Sequence, residues 1–346
     1  MEAMADELRV QHERLKEIIC ATLSGAGVSD PVGQVEAEVM AEADLQGVPS
    51  HGVRMLPGLL RGIRDGRVNP RPEPRLVRER KATSLLDGDN GPGRFVSVKA
   101  IRDAIDRAKQ FGVGACLANR LCHWGRAHAY ASQAAQEGVV GICTTNAISN
   151  MLAWGSSRPL LGNNPLAIGV PRGQGEEPLV LDMAMSQAAI GKIGTFLREG
   201  KKVPPNWGLD GSGKSSEDPA AILASGKVLP FGDHKGSGLA FMIELLTGGL
   251  SGGPFSFEIG KIDTSGLDPS SSKLFLAIDV EAFIDGTQFY RRVEEFISYL
   301  RSAEPGLEIT LPGERGWKAR EKNLAEGIPI HREIVKQLRA VDVSFE

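Results

Sequence analysis

The sequence has little from which to build a nucleic-acid, membrane or metal site. Aromatic residues make up only 5% of its 346 residues, too few for a base-stacking platform. Neither sign of charge dominates. Forty Lys and Arg stand against 43 Asp and Glu, a net charge of −3, which gives no field of the kind that holds nucleic acid or an anionic membrane. No apolar run approaches the roughly 20 residues of a membrane-spanning helix. The four cysteines, Cys20, Cys116, Cys122 and Cys143, form no CxxC and no regular framework. The six histidines form no HExxH, and the carboxylates show no calcium-loop spacing. The N-terminal stretch MEAMADELRVQHERLKE is charged and lacks an apolar signal core. These absences lead to the expectation of a cytoplasmic protein with reduced thiols, no metal, no membrane and no nucleic-acid partner.

What is present reads as an ordinary folded chain, with 41% hydrophobic and 24% charged residues. Residues 4–48 are expected to form two helices, Asp30 and Pro31 opening the second. Ser50 is expected to cap a third, HGVRMLPGLLRGIRDG, so the opening reads as wholly helical. From about Ala82, short apolar runs (ATSLLDG, VGACLAN, VVGICTTN, PLAIGVP, PLVLDMA, LFLAIDV) alternate with helical periods, the pattern of an α/β sheet protein. Residues 200–230 read as an irregular excursion and 251–271 as a loop rich in Gly, Ser and Pro; between them GSGLAFMIELLTGGL is a strong apolar helix. Residues 314–341 read as helical and polar. The expected layout is a helical part over 1–75, an α/β body over 76–285, and a C-terminal part over 286–346 that returns to the first.

Five segments carry candidate chemistry. Gly208 to Ser215 spells a P-loop with Lys214, but no apolar strand precedes it and Pro219 interrupts the helix that should follow, so a surface turn is the better reading. No GxGxxG follows a strand; Gly91-Pro92-Gly93 lacks the third glycine, so the Rossmann fingerprint is absent. His51 and Arg54 share a helix face in the expected third helix, where they could protonate a carbonyl and hold a carboxylate. An incidental pair beside a capping Ser50 fits the same spacing. His123-Trp124-Gly125 follows an expected strand end and opens an expected helix, the edge where α/β proteins gather ligands; a histidine satisfying loop backbone fits equally. His234-Lys235 stands at the start of an apolar helix, where amides and a point charge suit phosphate, although a packing turn accounts for the glycines too. Asp182 ends an apolar strand, as a functional carboxylate or a cap would.

Seven segments occur in the order found in the malate/L-lactate dehydrogenase-like family, which the chain resembles from about residue 8 to 340: Ser50 to Val53, His123 to Gly125, Thr145 to Ala147, Gly162 to Pro165, Leu181 to Ala184, Leu229 to Gly236 and Leu311 to Glu314. That family is distinct from the Rossmann-type lactate and malate dehydrogenases. It includes sulfolactate and ureidoglycolate dehydrogenases, 2,3-diketo-L-gulonate reductase and Δ1-piperideine-2-carboxylate reductase. The resemblance implies a non-Rossmann α/β fold, a nicotinamide cofactor (NAD or NADP) and a homodimer. It implies His51 as the catalytic acid, with Asp182 near the reaction centre and Ser50, Arg54 and His123 on the substrate side. Cofactor contacts are implied at His123, Trp124, Gly125, Asn146, the run Leu181, Asp182, Met183, Ala184, Met185, Ser186 and Gln187, at His234 and Lys235, and at Gly313, Glu314 and Arg315. The family's arginine four residues after the histidine is here Met55, with Arg54 one earlier; its Gly-Thr-Asn-Pro is Gly162-Asn163-Asn164-Pro165; and Trp124 stands where many members have Phe.

The expected activity is hydride transfer between nicotinamide and C2 of a small 2-oxo, 2-hydroxy or cyclic 2-imino acid, with His51 titrating near 6.5 and Lys235 and the following amides holding cofactor phosphate. Two other classes remain open on sequence: a nucleotide triphosphatase through Lys214, and a non-catalytic dimer that keeps a nucleotide pocket.

Overall fold

The computed structural model describes residues 7–259, 270–304, 306–341 and 343–345. Residues 4–6 of the first expected helix and 260–269 of the expected loop lie outside the described residues. The described residues begin with strand β1 (Glu7–Val10), where the first helix was expected. Helices α1 (His12–Gly25) and α2 (Asp30–Leu45) follow, the latter with Ser29 rather than Asp30 in the N-cap position and Pro31 in its first turn, where a missing N–H breaks no helical bond. The third helix starts later than expected. Val53–Met55 is a 3-10 turn with Gly52 at its cap position, and α3 spans Leu56–Arg64.

The body begins with strands β2 (Arg75–Arg80) and β3 (Thr83–Gly91), then α4 (Gly93–Phe111), β4 (Val113–Leu121), α5 (His128–Gln136) and β5 (Val139–Thr145). Short strands β6 (Met151–Leu152) and β7 (Pro159–Leu161) lead to β8 (Leu166–Val170) and β9 (Leu179–Met183). The excursion after β9 is more regular than its composition suggests: α6 (Ile190–Arg198), β10 (Gly208–Leu209), α7 (Pro219–Ser225) and β11 (Lys227–Val228). It keeps a small core of its own around Ile193, Val203, Trp207 and Ile222. Helix α8 (His234–Glu244) runs into a π turn over Leu245–Gly249, and β12 (Lys273–Asp279) returns to the sheet. The C-terminal part is α9 (Gly286–Ala303), α10 (Glu314–Glu326), strand β13 (Ile328–His331) and α11 (Arg332–Arg339), so the expected polar helix is split by a strand.

The main sheet has the order β2-β3-β4-β12-β5-β8-β9. β3 and β4 are parallel, while β12 and β8 run antiparallel to their neighbours. It follows that β3, β4, β5 and β9 all point the same way and end at one edge, which gathers the segments after Leu121, Thr145 and Met183. α4 lays Val96, Ala100, Ile101, Ala104, Ile105 and Ala108 on the sheet at helical spacing. Both helices press on glycines of the sheet: a Cβ at Gly114 of β4 would lie 2.0 Å from the Ala104 carbonyl oxygen of α4, and one at Gly169 of β8 2.1 Å from the Ala131 carbonyl oxygen of α5. A second core joins the chain ends. Leu15, Ile19, Met40, Leu45 and Leu56 pack with Ile328, Ile330, Ile334 and Leu338, and β1 pairs antiparallel with β13. All four cysteines are free. No helix among the described residues is long and apolar enough to cross a membrane.

Candidate active site

The turn between α2 and α3 is held from beneath by two buried ionisable side chains, Asp44 and Arg94. Asp44, 5% exposed, accepts the Val53 N–H on Oδ2 at 2.7 Å. Gly52 lies directly on that carboxylate: a Cβ there would fall 2.1 Å from the Asp44 Cγ, so no other residue fits. Burial pushes the Asp44 carboxyl up to about 7, against the pull of the Val53 N–H and the Arg94 charge. From α4, Arg94 donates to the His51 carbonyl at 3.3 Å and pairs with fully buried Glu36 at 3.0 Å. Glu36 also accepts the Phe95 N–H at 3.0 Å, which ties α2 to α4. The backbone of His51 is thereby fixed by contacts outside its own turn.

Ser50 does not cap a helix. Its hydroxyl lies 2.9 Å from His51 Nδ1, so it can accept from that nitrogen when His51 is charged and leave Nε2 to a reacting oxygen. The His123 ring stands 5.8 Å from the His51 ring. His123 Nδ1 accepts the Gly125 N–H at 3.0 Å, which fixes the neutral tautomer with the proton on Nε2. Gly125 has φ +80°, and this left-handed residue delays the helix expected at His123 until His128. His128 is buried at the start of that helix with its ring 5.3 Å from Trp317.

Three guanidinium groups surround His51. Burial first, then Arg126, Arg94 and Arg54 in turn, hold its imidazole down to about 3, not near 6.5 as the sequence suggested. Burial and the neighbouring His51, Arg94 and Lys273 likewise hold His123 well below its ordinary value. Arg126 pairs with Asp182 at 2.9 Å and donates to Gln46 at 2.8 Å. Asp182 also accepts the His128 N–H at 3.3 Å; burial raises its pKa and Arg126 opposes that. Its carboxylate is therefore spent on placing Arg126. Arg94 and Arg126 have carboxylate partners, and Arg54 has none among the described residues.

The remaining expected contacts divide. The Leu181–Gln187 run and the His234-Lys235 turn meet: Phe231 N donates to Met185 O at 2.9 Å and Gln187 N to Leu229 O at 2.8 Å. Leu181 is exposed and Met183 and Ala184 are partly so, whereas Met185 is buried and the Ser186 hydroxyl donates to Ala188 O. At the start of α8, the amides of Lys235, Gly236 and Ser237 already donate to Gly232, Phe231 and Asp233 carbonyls. A nest of free amides for phosphate is therefore not formed there, and the Lys235 ammonium is what remains. Asn146 departs from expectation too. Fully buried, it donates to Pro254 O at 2.8 Å and accepts from Ser272 N at 2.8 Å, so its side chain joins β12 to the body instead of facing a ligand. Glu314 accepts the Leu311 N–H and pairs with Arg301, closing the turn that sets Gly313 (φ +93°) against Val180. One residue further on, Arg315 is the first-turn cation of α10.

At the P-loop-like segment, Asp210 Oδ1 accepts the amides of Ser212 and Lys214 and the Ser212 hydroxyl, filling the space a phosphate would take. No helix starts at Lys214. Among the described residues no group of three or more His, Cys, Asp or Glu is placed to hold a metal ion. A dinucleotide is a better match to the donors present: a neutral imidazole with its proton on Nε2, a lysine at the start of an 11-residue helix, and an excess of guanidinium charge. The residues that motif reading missed are Asp44, Arg94, Glu36, Arg126 and fully buried Lys273, which donates to the Ser271 carbonyl and hydroxyl.

A sequence model of the malate/L-lactate dehydrogenase family matches residues 10–339. A malate dehydrogenase of Pyrococcus horikoshii is 35% identical over 344 residues, covering 96% of this chain and 94% of that protein. A (2R)-3-sulfolactate dehydrogenase (NADP(+)) of Chromohalobacter salexigens is 34% identical, covering 94% of this chain and 95% of that one. The solved structure of a Δ1-piperideine-2-carboxylate reductase of Pseudomonas syringae superposes with a TM-score of 0.87 at 32% identity, covering 96% of this chain and 99% of that one.

Proposed function

The chain belongs to the malate/L-lactate dehydrogenase family, and from that premise we propose that it moves a hydride between a nicotinamide cofactor, NAD or NADP, and C2 of a small 2-oxo or 2-hydroxy acid, as a cytoplasmic homodimer. The observation that carries this reading is His51, set beside His123 and ringed by guanidinium groups of which Arg54 lacks an acid. The nicotinamide would supply or accept the hydride. His123, Lys235 and the exposed parts of the Leu181–Gln187 run are the groups that would hold the cofactor. Arg54 takes the substrate carboxylate, placing C2 and its oxygen over the His51 imidazole.

The depressed pKa of His51 then has a function. With no substrate, burial and the cations keep the ring neutral, ready to accept the hydroxyl proton in the oxidative direction. A bound carboxylate offsets the Arg54 charge and raises the His51 pKa, so proton uptake for the reductive direction follows anion binding. Asp182 acts at one remove, by fixing Arg126.

The homodimer reading is supported by α8 and the π turn that continues it to Leu250, which leave Leu239, Phe241, Met242, Leu245, Leu246 and Leu250 between 40% and 64% exposed on a continuous helical segment. NADP in one relative's name and the piperideine reductase neighbour keep both cofactors and a cyclic 2-imino acid within the proposal. A protonated cyclic imine already carries the proton that an oxo acid must receive, so only the oxo-acid reaction depends on His51 for it.

The test follows NADH and NADPH oxidation with pyruvate, oxaloacetate, sulfopyruvate, 2,3-diketogulonate and Δ1-piperideine-2-carboxylate. His51→Ala is expected to lower kcat on an oxo acid by roughly 10²- to 10⁴-fold. Near-normal turnover in that variant overturns the acid assignment. Lys214→Ala should leave turnover unchanged; phosphate release from ATP lost in it would favour the triphosphatase.

A further inference from the structure

His51 and His123 come from separate turns, one between α2 and α3 and one after β4, with ring centres 5.8 Å apart. The first turn of α4 lies beneath both. Gly93 presses on the second of them: a Cβ there would lie 2.1 Å from the Cys122 carbonyl oxygen and 2.4 Å from that of His123. Arg94 reaches both turns at once. Its Nη2 donates to the His51 carbonyl at 3.3 Å. Its other edge lies under Gly125, where a Cβ would fall 2.8 Å from Arg94 Nε, 3.4 Å from Cζ and 3.5 Å from Cγ. Gly125 supplies the N–H that His123 Nδ1 accepts. One planar, rigid group therefore carries the backbone of the first histidine and the residue that fixes the tautomer of the second.

Stability does not account for this arrangement. Arg94 and its partner Glu36 are 2% and 0% exposed, so both charges have left water. Two apolar side chains of similar volume often serve as well or better in such a place. Arg94 Nε is also buried with no acceptor among the described residues, which is a further cost. Glu36 accepts the Phe95 N–H at 3.0 Å, but the oxygen of a neutral amide would serve there equally.

We propose that Arg94 is a positioning residue that sets the separation and mutual orientation of His51 and His123, and so registers the proton-transferring ring against the cofactor that His123 contacts. This rests on the hydride-transfer reading and adds to it the group that aligns acid with cofactor. A slip of about 1 Å between the two turns would leave each binding contact in place and still slow the chemical step, by up to roughly 10²-fold.

Two variants separate positioning from packing. Arg94→Lys keeps a charge for Glu36, but a single ammonium cannot also reach the His51 carbonyl and underlie Gly125. Glu36→Gln combined with Arg94→Met removes both charges and keeps an oxygen for the Phe95 N–H. On the acid of the panel that wild type reduces fastest, kcat is expected to fall roughly 10- to 100-fold in both variants. Kd for NADH or NADPH, whichever wild type uses, should move by less than about threefold, because the groups that bind it remain. The double variant should melt at or above the wild-type temperature. Unchanged kcat in either variant overturns the proposal. So does a fall in kcat that tracks a lowered melting temperature, or a double variant that does not fold, since the pair is then only a structural tie. If Arg94→Lys alone fails to fold, the double variant decides. Should wild type turn over none of the acids with either cofactor, the hydride-transfer reading fails on its own, and NMR of the histidine ring nitrogens still decides the role of Arg94. Wild type should show His123 as a single tautomer with its proton on Nε2. In Arg94→Lys the resonances of His51 and His123 should move while those of His12, His234 and His331 stay. Rings that all keep their wild-type resonances overturn the proposal, as does a change spread equally over every histidine, which would mark general loosening.

Discussion

Asp44 and His51 are ionisable groups moved in opposite senses by the same buried setting. Both lose water, which favours their neutral forms: the carboxyl rises to about 7 and the imidazole falls to about 3. For Asp44 this has a consequence for stability. The folded protein keeps its proton up to about pH 7, whereas the unfolded chain releases it near ~4. Between those values the folded state binds more protons, so stability falls as pH rises through the window. Asp44→Asn keeps an oxygen for the Val53 N–H and cannot ionise. Its stability relative to wild type should therefore improve from pH 5 to pH 8, by roughly 2–4 kcal/mol. Calorimetric melting at the two pH values measures this, and a constant difference would show that Asp44 does not titrate there. None of this was legible from the motif. Ser50, His51 and His123 stand out because they are local and scarce in kind. Arg126 acquires its place only through Gln46, 80 residues away, and Asp182, 56 residues away, and periodicity carries no trace of such contacts.

At the scale of elements, the strands of the sheet interior were readable because their apolar runs and flanking turns are strong. The strands that were missed are short edge pieces. β2, RLVRER, is exposed along its whole length and shows no apolar alternation, while β13, IPIH, buries Ile328 and Ile330 in alternation but is only four residues long and contains Pro329. The helix expected at His123 was misplaced because Gly125 adopts φ +80°, a choice the sequence permits without announcing. Helix α8 was read correctly as apolar, but apolarity does not say what covers it. Phe241 is 54% exposed, and Leu246, in the π turn that continues the helix, 40%. In a dimer joined through this face, Phe241→Glu together with Leu246→Glu would bury two unpaired charges, and the variant should sediment as a monomer where wild type sediments as a dimer. A wild type that sediments as a monomer at micromolar concentration removes the dimer reading.

The whole molecule is closed by its ends, and the site depends on that closure. β1 and β13 pair with Leu8 opposite Ile330 and Val10 opposite Ile328, and the side chains of β13 and α11 complete the core of α1, α2 and α3. From α10, Asn323 donates to the Leu45 carbonyl at 2.8 Å and Arg320 pairs with Glu42 at 3.0 Å, so the end of α2 is tied to the C-terminal part just before the His51 turn. The return of the chain end to the helical opening was an expectation from sequence; the strand pair that joins them was not, because a four-residue pairing across more than 300 positions leaves no local pattern. If this layer is one cooperative unit, damage at one end should be felt at the other. Ile330→Asp places an unpaired charge in that core, at a cost of about 3 kcal/mol or more. Native-state hydrogen exchange should then show amides of α1 and α2 losing protection together with those of β13 and α11, while β4, β5 and β12 keep theirs. Turnover should fall as well, because the layer that loosens is the one that holds Asp44 under the His51 turn. Loss of protection confined to residues 328–338, with α2 and activity intact, would show that the ends fold independently and that the sheet side, through Arg94 and Arg126, is sufficient to hold the site.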